Sequence, residues 1–243
     1  MRTLQDLYTG FLMFRENLKA PELDDSVLFL DYCRRNLHIS NAQFFQDLFV
    51  LYVLNGKRGG YFVEFGACDG VAGSNSLILE KSFGWQGILA EPGRCWHDDL
   101  KKNRSCHIDL RCIWGVGGEV LSFNEVTRPG LAGLSTVDSY SLHDGHGHLR
   151  DFGNKYSVET ISLNELLDLN AAPSDIDYIS VDTEGSELSI LKNFDFGRYN
   201  VKIFTVEHNY TDQRADIFSL MVSKGYRRCF ESFSSVDDWY VKN

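Results

Sequence analysis

Residues 61–80 read YFVEFGACDGVAGSNSLILE, and the prediction of the fold rests on them. They begin with an apolar and aromatic run typical of a short buried strand and then turn at several glycines. Apolar residues follow Ser74 and Asn75, where a helix is predicted to begin. Strand, glycine turn and helix form the opening unit of a nucleotide-binding α/β fold. Gly66 and Gly70 lack Cβ atoms, so we expect the backbone there to approach a ligand.

A second acidic position narrows the class of ligand. Residues 87–92, GILAEP, predict a neighbouring strand that ends in Glu91, whose carboxylate can accept hydrogen bonds from both ribose hydroxyls of an adenosine ligand. In the first turn, Cys68 replaces the middle glycine of a pyrophosphate-binding motif, and Asp69 adds a negative charge. An acidic turn suits a ligand with a cationic amine or sulfonium, such as S-adenosylmethionine. An NAD-dependent oxidoreductase is the alternative that the same glycine turn leaves open.

Composition excludes several classes of protein. A chain of 243 residues with 43% hydrophobic content can bury one sizeable α/β core with a small helical addition. A formal charge of −10 argues against nucleic acid as the main partner. We expect the basic residues Lys101, Lys102, Arg104 and Arg111 to form a solvated helix end. The six cysteines form no C-x-x-C pair, which favours reduced thiols in a cytoplasmic protein. The sequence shows neither an apolar run of membrane-spanning length nor a signal peptide.

Hydrophobic periodicity divides the chain into two predicted domains. Apolar spacing predicts helices over residues 3–18, 24–36 and 41–54. We interpret residues 1–58 as an N-terminal helical cap beside the ligand face. Residues 59–243 then form the ligand-binding α/β domain.

The second half of the chain alternates strands with loops and helices. Residues 108–114 predict a third strand, and the alternation in residues 119–126 predicts an edge strand or hairpin. Residues 127–157 are rich in Gly, Ser, Asp and His, a composition that favours a functional loop that contacts substrate. Ser162 is predicted to cap a helix together with Glu165. The last two strands have no helix between them, which predicts an antiparallel hairpin at the sheet edge.

Acidic residues follow two consecutive strands of the predicted sheet. Asp182 and Glu184 come directly after the buried strand IDYISVD, and Glu207 and His208 end the next strand. Because ligands bind beyond the carboxyl ends of parallel strands, these side chains are candidates for the site. His208 and Asp182 are the candidate bases, with Glu207 beside them. All four could instead hold Mg²⁺ or Mn²⁺. Glu187 fits a structural role at a helix start.

Three more histidines occur in the predicted loop. His143, His146 and His148 lie in the stretch HDGHGH. Their spacing is loose and the glycines between them are flexible. The pattern therefore favours a loop that contacts substrate or is simply solvated over a metal site.

From about Asn41 onward, the sequence resembles the FkbM-type S-adenosylmethionine-dependent methyltransferases. Four stretches carry the resemblance, AQFFQDLFVL, FVEFGACDGVAGSNS, ILAEP and IDYISVDTEGSELSILKNF. It implies an α/β class I methyltransferase (Rossmann-like) fold, with a seven-stranded, mostly parallel sheet whose last strand is antiparallel. It also implies methyl transfer to a hydroxyl of a sugar, polysaccharide or secondary metabolite.

The resemblance also assigns positions around the cofactor. The residues that it implies are Gln43, Glu64, Gly66, Asp69, Gly70, Ser74, Asn75, Glu91, Cys112 and Ile113. In this assignment Glu64 to Gly70 line the methionine end, Glu91 holds the ribose, and Cys112 and Ile113 border the adenine. Cys68 departs from the family, in which an Asn is common at this position.

Two other classes remain as alternatives. A non-catalytic glycan-binding module could retain a methyltransferase fold, because fold alone does not establish activity. A methyltransferase that acts on nucleic-acid amino groups normally has an Asn or Asp followed by two prolines and an aromatic residue after the fourth strand. This chain has Asp-Thr-Glu-Gly there, which argues against that class. The expected partner is a small-molecule or glycan acceptor, and the sequence leaves a homo-oligomer open.

Overall fold

The computed structural model describes residues 4–17, 19 and 24–243. The helices are α1 (Leu4–Asn17), α2 (Asp25–Asn36), α3 (Gln46–Val53), α4 (Leu77–Phe83), α5 (His97–Asn103), α6 (Gly147–Arg150), α7 (Leu163–Leu169), α8 (Glu187–Lys192) and α9 (Gln213–Ser223). The strands are β1 (Tyr61–Phe65), β2 (Gln86–Ala90), β3 (His107–Asp109), β4 (Cys112–Trp114), β5 (Val120–Glu125), β6 (Thr136–Val137), β7 (Asn154–Ser162), β8 (Asp175–Val181), β9 (Asn200–Glu207), β10 (Tyr226–Cys229) and β11 (Asp237–Lys242). The α/β prediction is confirmed.

The main sheet has seven strands of mixed orientation, in the order β3-β2-β1-β8-β9-β11-β10. Strands β3, β2, β1, β8 and β9 pair in parallel. The last strand, β11, runs antiparallel to both β9 and β10. The predicted pairing of the last two strands therefore forms, but β11 lies inside the sheet and β10 forms its edge. The reason is burial, because Trp239 and Tyr240 on β11 are both fully buried and need cover on both faces of the sheet.

A second sheet has the order β4-β7-β5-β6 and corrects two predictions. Residues 108–114 do not form one strand, because Asp109 Oδ1 accepts the Arg111 N–H at 2.9 Å and turns the chain between β3 and β4. Residues 119–126 contain β5, which lies between β7 and β6 and is not an edge strand, whereas its antiparallel pairing with β6 agrees with the hairpin alternative. The predicted loop also ends earlier than expected, because residues 154–157 already pair with β5 as part of β7.

The predicted helices over residues 3–18 and 24–36 form as α1 and α2, whereas α3 is shorter than predicted and begins at Gln46. Helices α2 and α3 pack on one face of the main sheet. The Phe49 ring stacks on Trp239 at 4.7 Å between centroids, and Phe29 meets the edge of Trp239 at 5.9 Å. No helix within the described ranges has both the length and the apolarity to cross a membrane.

Arg104 fixes the turn between β1 and α4. The prediction that it belongs to a solvated helix end is therefore wrong. Its side chain is buried, and its Nε donates to Glu80 Oε2 at 2.6 Å. Its Nη1 donates to the Gly70 carbonyl at 3.1 Å and to Ser74 Oγ at 3.0 Å. The guanidinium therefore ties α5 to both ends of the glycine turn. The Lys101 and Lys102 positions are exposed, as predicted for this helix end.

The ion pair of Arg104 should contribute more to stability than a surface ion pair. Arg104→Met removes the buried cation of Glu80 and leaves only the partly exposed Lys81 beside this carboxylate, so the free energy of unfolding should fall by about 3 kcal/mol. As a control, Arg198→Met removes the exposed pair with Asp168 and should leave the free energy of unfolding nearly unchanged. Urea denaturation followed by circular dichroism measures both. Equal losses in the two variants would contradict the structural role of Arg104.

Candidate active site

The carboxyl ends of β1, β2, β8 and β9 surround a cavity of about 490 Å³. This volume lies within the roughly 300–1,000 Å³ that is typical of small-molecule sites. Most of the predicted site residues line it, namely Gln43, Glu64, Gly66, Ser74, Asn75, Glu91, Cys112, Ile113, Asp182, Glu184 and Glu207. Asp69, Gly70 and His208 are not among the residues that line it.

Glu64 holds the start of α4 against β1. Its Oε1 accepts the backbone N–H of Asn75 at 2.7 Å, and its Oε2 accepts the Ser74 hydroxyl at 3.1 Å and the Ser76 hydroxyl. The Glu64 side chain is only 3% exposed. Both oxygens are therefore used to shape the wall of the cavity, which is a reason for this acid that the sequence alone did not indicate.

Glu91 performs the same task at the end of β2. Its Oε2 accepts the Cys68 N–H at 2.8 Å and its Oε1 accepts the Gly93 N–H at 2.6 Å. Burial raises the pKa of Glu91 to about 7, although these two backbone hydrogen bonds oppose the shift. Each oxygen keeps a lone pair, because a carboxylate has about four acceptor positions. The carboxylate can therefore accept further hydrogen bonds from a ligand in the cavity.

The glycines of the turn are required by packing between protein segments. A Cβ on Gly66 would lie 2.0 Å from the Asp182 carbonyl oxygen, and a Cβ on Gly70 would lie 2.6 Å from the Arg104 side chain. Both glycines also have positive φ angles. Asp69 accepts the Val71 N–H at 2.8 Å and so closes the turn. In this structure Asp69 and Gly70 shape the turn from outside the cavity, and the contact that needs Gly66 is with β8.

Asp182, Glu184 and Glu207 come together at one side of the cavity. One carboxylate oxygen from each lies within 4.8 Å of the other two. Burial raises the pKa of Asp182 to about 8, and the nearby Asp237 carboxylate adds to this effect. Burial, followed by repulsion from Asp182, also raises the pKa values of Glu184 and Glu207. Three acids that resist ionisation together make this part of the cavity attractive to a cation.

The polar neighbours of the three acids differ. Glu207 Oε2 is buried and has no hydrogen-bond partner among the described residues. Glu184 Oε2 accepts from Arg150 Nη2 at 3.0 Å and from Asn209 Nδ2 at 3.1 Å. Glu184 and Asn209 both have positive φ angles, of 59° and 42°. Residues other than Gly rarely adopt a positive φ angle. The backbone is therefore strained at Glu184 and at Asn209.

Glu187 has the structural role that its sequence position suggested. Its Oε1 accepts the N–H groups of Thr183 at 2.9 Å and Gly185 at 3.0 Å. These bonds hold the turn that presents Asp182 and Glu184 to the cavity. Glu187 is therefore a support for the acids and does not line the cavity itself.

The structure does not bring His208 to the acids. Its Nδ1 accepts the Tyr210 N–H at 3.0 Å, and its Nε2 lies 3.7 Å from Asp238 Oδ1. Burial lowers the pKa of His208, although the nearby Asp238 carboxylate opposes this effect. Successive side chains at the end of a strand point to opposite faces, so Glu207 enters the cavity and His208 faces away from it.

Residues 127–153, here called the crossover segment, cover another side of the cavity. Gly130–Ser135, Val137 and His146 line it. Arg150 anchors this segment, because its Nε donates to the Leu134 carbonyl at 2.6 Å and its guanidinium holds Asp144 at 2.7 and 2.9 Å. The same guanidinium bonds Glu184. Sequence analysis missed Arg150, since a single Arg in a glycine-rich segment without periodicity gives no signal of burial.

Two residues of α3 support the site from the other face of the sheet. Gln46 Nε2 donates to Asp237 Oδ2 at 2.7 Å. Asp47 is fully buried and accepts the N–H groups of Asn41 at 2.9 Å and Ala42 at 3.3 Å. These bonds fix the loop that carries Gln43 to the cavity. Asp47 therefore positions this loop by its hydrogen bonds within the chain.

Comparison with known proteins gives one family match. The Methyltransferase FkbM domain matches residues 64–228. No curated protein matches the chain. A solved TehB-like SAM-dependent methyltransferase from Corynebacterium glutamicum is 11% identical, with a TM-score of 0.42 over 90% of this chain and 98% of that chain. A mutant of MtNAS is 12% identical, with a TM-score of 0.39 over 94% of this chain and 68% of that chain.

These two solved structures are too distant to carry an argument, and the family match decides the assignment. The matched residues make up more than half of the chain and contain the glycine turn, Glu91 and the acids that follow β8 and β9. The chain therefore belongs to the FkbM methyltransferase family, and the protein is an S-adenosylmethionine-dependent methyltransferase.

Proposed function

We propose that this methyltransferase acts on oxygen and transfers a methyl group to a hydroxyl of a sugar, polysaccharide or secondary metabolite. The observation that carries the proposal is a single cavity with a buried acid at the end of β2 and three more acids beyond β8 and β9. Family membership favours this function over an NAD-dependent oxidoreductase. The acid at each expected strand end also favours a catalytic site over a non-catalytic glycan-binding module.

The residues present fit S-adenosylmethionine, which supplies an activated methyl group on a sulfonium. The free lone pairs of Glu91 suit the ribose hydroxyls. Cys112 and Ile113 line the same cavity and would border the adenine. Asp182 and its acidic neighbours favour the positive charge of the sulfonium end. We also propose that the main sheet is the class I methyltransferase sheet, with its antiparallel last strand inserted as β11.

The remaining walls would exclude water and shape the acceptor pocket. The crossover segment carries Gly130–Ser135 and His146 to the cavity, and the loop before α3 carries Gln43. We propose that residues 1–58 act as a cap and that residues 127–157 provide the acceptor contacts. Alignment of an acceptor hydroxyl by such walls can supply a large part of the rate enhancement.

A divalent cation on Asp182, Glu184 and Glu207 is a second possibility for the acidic group. The observation that favours it is the buried Glu207 Oε2, which has no hydrogen-bond partner in the described part of the chain. Oxygen ligands of this kind suit Mg²⁺ or Mn²⁺. His208, the fourth predicted ligand, is not part of this group because its ring faces Asp238.

Glu91 should determine the affinity for the cofactor. Glu91→Gln removes the charge that strengthens hydrogen bonds from the ribose, so the Kd for S-adenosylmethionine should rise roughly 10- to 100-fold. Isothermal titration calorimetry measures the change. Glu125→Gln is the matched control, because Glu125 is a neighbouring buried acid that bonds Tyr156 and does not line the cavity. An unchanged Kd in Glu91→Gln would refute the ribose assignment.

The preference for the charged cofactor over its neutral product should increase with pH. Burial raises the pKa of Asp182 to about 8, so this carboxyl is mostly neutral below that pH and becomes a carboxylate above it. Only the carboxylate attracts the sulfonium strongly, and S-adenosylhomocysteine lacks that charge. The ratio of the Kd for S-adenosylhomocysteine to the Kd for S-adenosylmethionine should therefore rise between about pH 7 and about pH 9.

Calorimetric titrations of both ligands across this pH range provide the ratio. Asp182→Asn cannot ionise at this position, whereas Glu184 and Glu207 still can, so the variant should give a smaller rise in the ratio. A ratio that rises equally in the variant and in the unchanged protein would remove Asp182 from contact with the sulfonium end.

Methyl transfer to oxygen is tested with isotope-labelled cofactor. The protein is incubated with S-adenosylmethionine labelled in the methyl group and with a panel of methyl glycosides and phenols, and NMR spectroscopy locates the label. We expect an O-methyl product. Label on nitrogen or carbon would contradict the proposal.

Metal dependence is tested in the same assay. If Asp182, Glu184 and Glu207 hold a cation, EDTA should abolish methyl transfer and added Mg²⁺ or Mn²⁺ should restore it. Full activity in EDTA would exclude a bound cation.

A further inference from the structure

His146 differs from the other histidines in its relation to the cavity. Of the seven histidines, all of which lie in the described part of the chain, His146 is the one that lines it. His208 is turned toward Asp238, and the His97 ring contacts the Glu91 carbonyl at 3.1 Å. His143 packs on Tyr140 at the surface. We infer that His146 is the catalytic base that takes the proton from the acceptor hydroxyl, an inference that rests on the proposed O-methyl transfer.

The backbone at His146 is held firmly while its ring stays available. The His146 N–H donates to Asp144 Oδ1 at 2.7 Å, and its carbonyl accepts the Leu149 N–H at 2.8 Å. Asp144 is clamped by Arg150, which also bonds Glu184 beside the cavity. Both hydrogen bonds that His146 makes with the described residues involve its backbone, which leaves its ring nitrogens to bond a ligand. A half-buried imidazole held in this way can accept a proton from a hydroxyl bound in the cavity.

The position of His146 agrees with the geometry that methyl transfer requires. The acceptor oxygen must approach the methyl carbon from the side opposite the sulfur, so its base should lie on the acceptor side of the cavity. Residues of the main sheet, Glu64 and Glu91 among them, form the cofactor side. His146 comes from the crossover segment, which lines the cavity together with residues 130–135 and belongs to neither β1 nor β2. A base on this segment can therefore reach the acceptor without displacing the cofactor.

The step balances in atoms and charge. The imidazole of His146 takes the hydroxyl proton as the acceptor oxygen forms its bond to the methyl carbon. The carbon–sulfur bond breaks, and its electron pair stays on sulfur to give a neutral thioether. The imidazolium then releases its proton to water. One cationic cofactor and one hydroxyl thus yield one methyl ether, one S-adenosylhomocysteine and one proton.

The first test measures the location of His146 and does not depend on turnover. NMR titration of histidine-labelled protein gives the pKa of each ring in complexes with S-adenosylmethionine and with S-adenosylhomocysteine, and His146→Gln identifies the His146 signal. The charged groups around the cavity, Asp144, Arg150, Asp182, Glu184 and Glu207, are present in both complexes. The sulfonium opposes a second positive charge, so the pKa of His146 should be lower with S-adenosylmethionine by roughly 0.5 unit or more. Equal pKa values in the two complexes would overturn the inference.

The second test measures turnover with any acceptor that the labelling experiment identifies. His146→Gln should lower kcat by about 10²- to 10⁴-fold and leave the Kd for S-adenosylmethionine within about twofold. His148→Gln, at the exposed neighbouring histidine, should retain full activity. Added imidazole should restore part of the activity of His146→Gly, which a purely structural role would not allow. Full activity in His146→Gln would also overturn the inference.

Failure of the proposed function has a different outcome. If the unchanged protein binds S-adenosylmethionine and methylates nitrogen or carbon, O-methyl transfer is refuted. The two-complex titration still decides whether His146 faces the sulfonium.

Discussion

The site depends on buried carboxylates that accept backbone N–H groups from the turns around it. Glu64 bonds the start of α4, Glu91 bonds the turn at Cys68, and Glu187 bonds the turn beyond β8. Hydrogen bonds to a charged acceptor are stronger than neutral ones, and each buried donor is costly to leave unpaired. These acids therefore set the shape of the cavity before any ligand is bound.

The same arrangement concentrates negative charge, which the protein balances with few cations. Arg104 and Arg150 are both buried, and each joins a distant segment to the cavity wall. In the described part of the chain, Asp182 and Glu207 have no cationic partner of this kind, and their pKa values are raised. A cavity that is under-neutralised in this way favours a positively charged ligand, in agreement with a methyltransferase that uses a sulfonium cofactor.

Many residues that sequence analysis proposed for the site line one cavity, because the ends of buried strands can be recognised in the sequence. Asp182, Glu184 and Glu207 each follow an apolar run, and the rule that parallel strands present their carboxyl ends to one side places them together. His208 shows the limit of this rule. It is adjacent to Glu207 in sequence, yet the alternation of side chains sends it to the opposite face, and a single residue of register separates a site position from a structural one.

The sequence alone determined the α/β class, the glycine turn, the positions of the acids and the family resemblance. Local hydrophobic patterns and short motifs encode these features. Only the tertiary structure decided which segments meet. It placed β11 inside the sheet, drew Arg104 into the core and brought Arg150 and His146 of the crossover segment to the cavity. These contacts join residues far apart in sequence, and neither periodicity nor spacing carries information about such pairings.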